Sequence, residues 1–119
     1  MKIVRIEDVP PVDLTGPLFT GTAARRDLVS PSEGEFNVGV VHFPAGVRNR
    51  LHTHTGDQIL IVTAGRGWVA TESESHQVTV GDVIHIPAGL PHWHGAGDDS
   101  DFAHIVITRS GTRTELVDA

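Results

Sequence analysis

Short apolar runs, broken by turn-forming residues, make up most of the chain from residue 36 onward. Apolar and polar residues alternate within these runs, which is typical of strands with one buried face. The breaks are rich in Gly, Pro, Asp and Ser, as in "PAG" at 44–46, "AGRG" at 64–67 and "PAGLP" at 87–91. The predicted strands cover residues 36–43, 50–54, 58–64, 67–71, 77–80, 82–86, 92–95 and 103–109. Helical periodicity does not persist over the roughly ten residues that a helix needs, so we predict an all-β sandwich or barrel.

Residues 1–35 fit this pattern less well and are predicted to lie outside the barrel. The stretch "VPPVDLTGP" at 9–17 favours an extended arm, and "RRDLVSPSEGE" at 25–35 favours an exposed loop. The predicted organisation is therefore an N-terminal arm and loop over 1–35, packed on the barrel or on a partner subunit, and a barrel domain over 36–119.

Composition narrows the class of partner. A length of 119 residues suits a single domain, and the absence of cysteine excludes disulfides and thiolate ligands. The net charge of −6, without a basic cluster, argues against nucleic-acid and membrane partners and favours a small-molecule partner. No apolar run approaches the roughly 18 residues needed to span a bilayer, and the first residues lack a signal-peptide pattern. We therefore expect a soluble cytoplasmic protein.

Histidine is the unusual component, with eight residues in the chain. His52 and His54 lie one residue apart, and so do His92 and His94, so each pair shares one face of its strand. A turn centred on Gly56 can bring Gln58 back to the same point. A single histidine near a core is usually structural, but core packing explains two such pairs poorly. The spacing favours imidazoles that converge on a metal ion.

These segments resemble the two motifs of the cupin family. The first is Gly46-(five residues)-His52-Thr53-His54-(three)-Gln58-(six)-Gly65, and the second is Gly81-(five)-Pro87-Ala88-Gly89-(two)-His92. The resemblance implies the double-stranded β-helix of that family, a small β-barrel of jelly-roll type. It also implies a metal ion held by His52, His54, Gln58 and His92. Together with "FTGT" at 19–22 and "HWHGA" at 92–96, the motifs resemble small bacterial cupins that include manganese-dependent, (R)-selective hydroxynitrile lyases.

The sequence departs from the usual cupin pattern at two positions. Gln58 stands where most cupins have Glu, and Ala96 stands where the second motif commonly ends in Asn. Three imidazoles and an amide oxygen leave a divalent ion with its full charge, which favours Lewis-acid chemistry over redox oxygen chemistry. One divalent transition metal per chain is expected, with Mn preferred and Fe, Co, Ni or Zn compatible with the same donors.

The remaining candidate residues follow from strand parity. His94 shares the inward face of His92, and His104 opens an alternating run, so both are candidates for acid/base catalysis. For His104 the alternative is a buried structural histidine. The predicted substrate pocket consists of the inward positions Gly39, Val41, Phe43, Leu60, Ile86 and Thr108.

Three functions remain compatible with the sequence. The favoured one is a metal-dependent lyase of hydroxynitrile-lyase type, in which the metal holds a cyanohydrin hydroxyl or cyanide and histidine moves the proton. The alternatives are a cupin dioxygenase or isomerase acting on a small oxygenated metabolite, and a non-enzymatic ligand-binding cupin. A homodimer built partly from the N-terminal arm is also predicted, because a barrel of this size leaves sheet edges to protect.

Overall fold

A computed structural model describes residues 1–117, and it confirms the all-β prediction. Ten strands, β1 to β10, follow one another along the chain. They are Val12–Leu14, Ala23–Val29, Phe36–Phe43, His52–His54, Gln58–Thr71, Ser75–Thr79, Val83–Ile86, His92–Ala96, Phe102–Arg109 and Thr114–Leu116. Single turns of 3₁₀ helix at Ile6–Asp8 and Pro31–Glu33 are the only helical elements among the described residues. None of them is long and apolar enough to cross a membrane.

The long strand β5 joins two layers of antiparallel sheet. Its first half, residues 58–65, pairs with β9 on one side and, over 58–61, with β7 on the other. Its second half, residues 66–71, pairs with β6 and β8. The first layer has the order β1-β2-β3-β9-β5-β7, and the second has the order β6-β5-β8-β4-β10. The sheet therefore curls into a barrel with one interior.

Register across the first layer decides which side chains share that interior. One row of paired residues runs Arg25, Val41, His104 and Val62 across four strands. Apolar members of such rows form the core, in which Phe43, Leu60 and Phe102 are fully buried.

In the second layer β4 lies beside β8. The two strands share a single Cα pair, between His52 and His92. On its other side β4 pairs with β10 over three residues. Backbone hydrogen bonds flank this pair, from the Asn49 N–H to the His94 carbonyl and from the Gly89 N–H to the His54 carbonyl. The segment that carries two of the predicted metal ligands is thus bonded to β8 and to the turn before it.

The structure corrects two of the strand predictions. Residues 58–71 form one strand rather than two, because the break expected at 64–67 is a bend. A register shift separates Val62 from Ala64, and Gly65 has φ +68°, where a Cβ would collide with the Asp101 carbonyl oxygen. The exposed loop expected over 25–35 is wrong for residues 25–29, which belong to β2 and pair with β3. Tertiary pairing overrides the low strand propensity of this charged stretch.

Candidate metal centre

Three histidines from two strands meet inside the barrel. His52 and His54 project from the same face of β4, and the pairing of His52 with His92 brings β8 alongside. One ring nitrogen from each of the three lies within 4.8 Å of the others. Two imidazoles that are separated by 40 residues of chain are thereby placed around one point.

Backbone carbonyls fix which nitrogen faces that point in two of the three rings, His52 and His92. His52 Nδ1 donates to the Arg50 carbonyl at 2.6 Å, and His92 Nδ1 donates to the Leu90 carbonyl at 2.8 Å. A carbonyl only accepts, so Nδ1 carries the proton in both rings and Nε2 keeps its lone pair. His54 Nδ1 lies 2.9 Å from the Thr114 hydroxyl, and its buried Nε2 has no hydrogen-bond partner within residues 1–117.

Gln58 supplies an oxygen beside these nitrogens. Its Oε1 lies 3.3 Å from His92 Nε2, so two acceptors face each other without a proton between them. A cation relieves this arrangement and also accounts for the unpartnered His54 Nε2. Three imidazole nitrogens and one amide oxygen form a donor set that fits a divalent transition-metal ion. The residues present therefore fit the metal that the resemblance implies.

Burial keeps the imidazoles neutral. It lowers the pKa of His52 to about 4, although the Arg50 carbonyl acts in the opposite direction and the neighbouring His92 and His54 lower it further. The pKa of His54 is also lowered to about 4 by burial and by His92, and burial lowers that of His92. Neutral imidazole is the form that binds metal, so the cluster is ready for an ion near pH 7.

Asp57, which is not a predicted ligand, connects the two chain segments that carry the ligands through side-chain hydrogen bonds. Asp57 precedes Gln58, and its Oδ1 accepts a hydrogen bond from the Ala88 N–H at 2.9 Å while Oδ2 lies 2.8 Å from His85 Nε2. In the same place the Gly89 N–H donates to the His54 carbonyl at 2.9 Å. The turn that leads into His92 is therefore tied to the loop that leads into Gln58.

The same hydrogen-bonding pattern of an aspartate with an Ala N–H and a His ring recurs at Asp101. Asp101 Oδ1 accepts from the Ala45 N–H at 2.9 Å, and its Oδ2 lies 3.2 Å from His42 Nε2. In both cases the His and the Ala belong to the sequence His-x-Pro-Ala-Gly, at 42–46 and at 85–89. Neither aspartate was singled out from the sequence, although this repeated pentapeptide was the available signal.

Beside the metal cluster, His94 and His104 form a hydrogen-bonded chain with Asn49. The His94 backbone N–H donates to Asn49 Oδ1 at 2.8 Å, which turns the Asn49 amide nitrogen toward His94 Nε2 at 3.3 Å. His94 Nε2 is then an acceptor, so its proton sits on Nδ1 and is donated to His104 Nε2 at 3.0 Å. His104 in turn keeps its proton on Nδ1, which makes no hydrogen bond within residues 1–117.

Both of these histidines are buried and neutral. Burial, followed by the charge of neighbouring His104, holds the pKa of His94 well below its ordinary value. Burial lowers the pKa of His104 to about 4. The sequence predicted His94 as a candidate for acid/base catalysis, and both of its ring nitrogens are engaged. Its role as a proton acceptor stays a prediction, and it requires Asn49 to release Nε2.

The six predicted pocket residues fall into two groups. Val41, Phe43, Leu60 and Ile86 are buried together in the core, and the Phe43 ring lies 5.9 Å from His94 and 5.8 Å from His104 between ring centroids. Thr108 and Gly39 lie on the interior rows, and Thr108 is the Cα partner of Gln58. Gly39 does not present open space, because the guanidinium of Arg25 covers it.

Arg25 and Asn49 are the interior residues that the sequence reasoning missed. The sequence predicts an exposed loop at Arg25, and a loop has no alternation of faces from which an interior position could be inferred. Gly39 was the available signal, since a glycine inside a strand often marks the close approach of another group. Asn49 is 3% exposed and precedes β4 without any pattern that marks it as buried.

A cavity of about 410 Å³ borders one of the three histidines of the metal cluster, His92. It lies between the two layers, and its lining includes Val69, Ile84, Ile86, Leu90 and His92. A larger cleft of about 670 Å³, around the loops at 55–57 and 109–112, contains none of the three histidines. Of these two cavities, the smaller one is the one that reaches a histidine of the cluster.

Comparison with known proteins places these features in context. The family model described as Cupin domain matches residues 39–108. An (R)-mandelonitrile lyase from Granulicella tundricola is 37% identical over 91 residues, which cover 75% of this chain and 70% of that protein. An acireductone dioxygenase from Pectobacterium atrosepticum is 35% identical over 60 residues, which cover 47% of this chain and 35% of that protein.

Solved structures show the same fold. A cupin-like protein from Thermotoga maritima has a TM-score of 0.84 and 33% identity, covering 90% of this chain and 84% of that one. The polyketide cyclase RemF from Streptomyces resistomycificus has a TM-score of 0.89, covering 100% of this chain and 87% of that one. At 20% identity, the second likeness concerns the fold alone.

Proposed function

Because this chain belongs to the cupin domain family, we propose that it is a metal-dependent lyase of hydroxynitrile-lyase type. The reaction is the cleavage of a cyanohydrin into a carbonyl compound and hydrogen cyanide. The observation that carries the proposal is the uncharged donor set of three imidazoles and Gln58 in a relative of an (R)-mandelonitrile lyase. The double-stranded β-helix predicted from the sequence is the shared fold of this family.

In this proposal His52, His54, His92 and Gln58 hold one divalent ion, with manganese preferred. When bound, the ion supplies Lewis-acid charge to a donor atom of the substrate, either the hydroxyl oxygen or the cyanide nitrogen. No ligand carries a negative charge, so the four residues leave that charge undiminished. Iron, cobalt, nickel and zinc are compatible with the same donors.

Proton movement falls to the hydrogen-bonded chain of His94 and His104. His94 Nε2 accepts the cyanohydrin hydroxyl proton once the Asn49 amide gives way. The C–CN bond then breaks, the electron pair leaves with cyanide, and the carbonyl forms. The resulting His94 cation is stabilised by its Nδ1–H bond to His104 Nε2, and His94 Nε2 then returns the proton to cyanide. Atoms and charges balance without any other reagent.

The apolar wall of the interior holds the organic part of the substrate. Val41, Phe43 and Leu60 exclude water from the space beside His94 and His104. Ile86 lies both in this core and on the cavity that opens to the surface, which makes that cavity the path for the substrate. A dry site strengthens every charge interaction within it.

A dioxygenase is the second candidate, since the relatives include acireductone dioxygenases from three bacteria. These matches are partial, and the Pectobacterium protein is matched over 35% of its length. The amide at Gln58 argues against this reading, because an uncharged ligand set gives less support to a trivalent metal. A non-enzymatic ligand-binding cupin is the third candidate and is an outcome of the test below.

The test combines metal analysis with activity. Protein stripped by a chelator is reloaded with Mn, Fe, Co, Ni or Zn, and the metal content is measured. Cleavage of (R)- and (S)-mandelonitrile is then followed through benzaldehyde and cyanide release, against the rate without protein. We expect one metal per chain and (R)-selective cleavage above background. Oxygen uptake with an acireductone, without cleavage, would favour the dioxygenase, and metal binding without either activity would favour a binding module.

A further inference from the structure

Arg25 is a charged residue on the interior face of the barrel. Its Cα partner is Val41, whose own partner on the next strand is His104, so the three residues form one interior row. The Arg25 side chain is 19% exposed. After burial, the positive charge of Arg25 is a further cause of the lowered pKa of His104. The guanidinium therefore belongs to the same interior as the proposed acid/base pair.

The guanidinium is held at two of its nitrogens. Nε donates to Asp27 Oδ1 at 2.5 Å, and Nη2 donates to Asn37 Oδ1 at 3.1 Å. Nη1 makes no hydrogen bond within residues 1–117. Asp27 is 65% exposed, so water screens its charge, and it engages only the Nε side. Nη1 and the second N–H of Nη2 remain available to an acceptor.

Gly39 makes room for this position. A Cβ at Gly39 would lie 2.5 Å from Arg25 Cζ and 2.5 Å from Nη2, so the guanidinium rests directly on the glycine backbone. Gly39 belongs to β3, between Asn37 and Val41, on the interior face. Any larger residue here would displace the guanidinium from its place.

Register also relates this site to the metal ligands. Asn37 pairs with Thr108, and Thr108 pairs with Gln58, so the residue that holds Nη2 lies two strands from a ligand. Two strand spacings amount to about 10 Å between Cα atoms. A small substrate held at the cluster can therefore reach toward Arg25 with its far end.

We propose that Arg25 recognises a carboxylate at the end of the substrate remote from the metal cluster. A planar guanidinium with a free edge matches a carboxylate with two parallel hydrogen bonds, and it is poorly suited to an apolar ring. Resting on the proposed lyase function, this narrows the substrate class to cyanohydrins of acid-bearing aldehydes or ketones. The apolar residues then surround the middle of the substrate.

Two probes of matched shape test the proposal without any turnover. They are 4-(hydroxymethyl)benzoate and 4-methylbenzyl alcohol, which differ in the group at the remote end and contain no nitrile. Calorimetry on the purified protein should show the carboxylate probe binding about tenfold tighter or better. Arg25→Gln should abolish this preference, while Arg26→Gln should keep it. Arg26 is a suitable control because it is adjacent in sequence and donates to the Val9 carbonyl instead.

A second measurement needs no variant. Titration of the wild-type protein with the carboxylate probe should shift the NMR resonance of the Arg25 Nε–H, and the neutral probe should leave it in place. Equal affinity for the two probes, or an unchanged preference in a folded Arg25→Gln protein, would overturn the proposal. In that case Arg25 is only a structural partner of Asp27 and Asn37.

The two proposals fail separately. Cleavage of mandelonitrile without a preference for the carboxylate probe would refute the role of Arg25 and leave the lyase standing. A preference that depends on Arg25, without cleavage of any cyanohydrin, would refute the lyase and leave an acid-binding cupin. A loss of folding in Arg25→Gln leaves the NMR titration of the wild-type protein to decide.

Discussion

Single ring nitrogens define the centre of this molecule. His54 Nε2 and His104 Nδ1 are the two buried side-chain atoms that lack a hydrogen-bond partner within the described residues. The first has a lone pair and faces two other imidazoles, which is the environment of a metal ligand. The second carries a proton, because the chain of bonds from Asn49 through His94 leaves it there. The two unpartnered atoms thus have opposite hydrogen-bonding character.

The ligand assignment predicts the effect of three substitutions. His52→Ala, His54→Ala and His92→Ala should each abolish stoichiometric metal binding, because each removes one of four ligands. Elemental analysis after dialysis against a weak chelator measures the occupancy. His76→Ala is a suitable control, since His76 is 67% exposed and pairs only with Glu74. Full occupancy in any of the three ligand variants would refute the assignment.

The second prediction concerns the proton. His94→Ala should retain the metal and lose about 10²-fold or more of its turnover, because it removes the proposed proton acceptor and leaves the four ligands in place. Metal content and mandelonitrile cleavage are measured on the same preparation. If turnover is retained, His104 becomes the acceptor instead. Loss of the metal would make His94 a fifth ligand and invalidate the mechanism.

At the scale of elements, the turns decide how the ligands meet. Asp57 ties the loop before Gln58 to the turn before His92 through its bonds to Ala88 and His85. We expect Asp57→Ala to weaken metal affinity by about tenfold or more, because outer residues that orient ligands have effects of this size. Competition with a fluorescent chelator measures the affinity.

Asp101→Ala is the matched control for this change. Asp101 has the same two kinds of partner as Asp57, namely the N–H of Ala45 and the ring of His42. These partners do not lead into a predicted metal ligand. The two variants should lose similar amounts of thermal stability, but only Asp57→Ala should lose metal affinity. Equal metal affinities in both variants would show that the hydrogen bonds of Asp57 do not position the ligands.

Sequence patterning predicted the strands whose apolar alternation is strong and missed those stabilised by their neighbours. The strand 36–43 was predicted with the bounds that the structure shows, because Val38, Val41 and Phe43 mark it clearly. The strand Ala23–Val29 was missed, since its charged residues hide the apolar alternation and two of its arginines also bond to groups distant in the sequence, Asn37 and the Val9 carbonyl. For the same reason the spacing of His52, His54 and His92 was informative, whereas Arg25 and Asn49 required the tertiary structure.

At the scale of the whole molecule, the buried neutral histidines predict how stability depends on pH. The folded pKa of His52, His54 and His104 is about 4, below the value of about 6.5 in an unfolded chain. As the pH falls through about 6.5 toward 4, the unfolded state takes up protons that the folded state does not. The free energy of unfolding should therefore fall, by at most about 1.4 kcal/mol per pH unit for each histidine.

Urea denaturation of the metal-free protein between about pH 7 and about pH 4.5 measures this slope. His104→Gln should have a smaller slope than the wild-type protein, because it removes one buried neutral imidazole. Stability that rises as the pH is lowered would contradict the assignment of these rings as buried and neutral.

The predicted homodimer is also a property of the whole molecule. The N-terminal arm, from which the dimer is predicted to be partly built, exposes apolar side chains, including Ile3, Ile6 and Val12 at 84%, 37% and 62% exposure. We expect a dimer by light scattering at micromolar concentration, and Ile3→Asp should weaken it. Val80→Asp is the control, because Val80 is equally apolar and 59% exposed but lies in the turn after β6. A monomeric wild-type protein would refute the prediction.

The pairing of β4 with β8 gives the proposed ion a role in folding. A Cα pair joins the two strands at His52 and His92, which are themselves proposed ligands from segments distant in the sequence. Backbone hydrogen bonds from Asn49 to His94 and from Gly89 to His54 flank this pair. An ion held by both segments would act as a cross-link between them, and because an unfolded chain does not hold these ligands together, its binding would add to the free energy of unfolding.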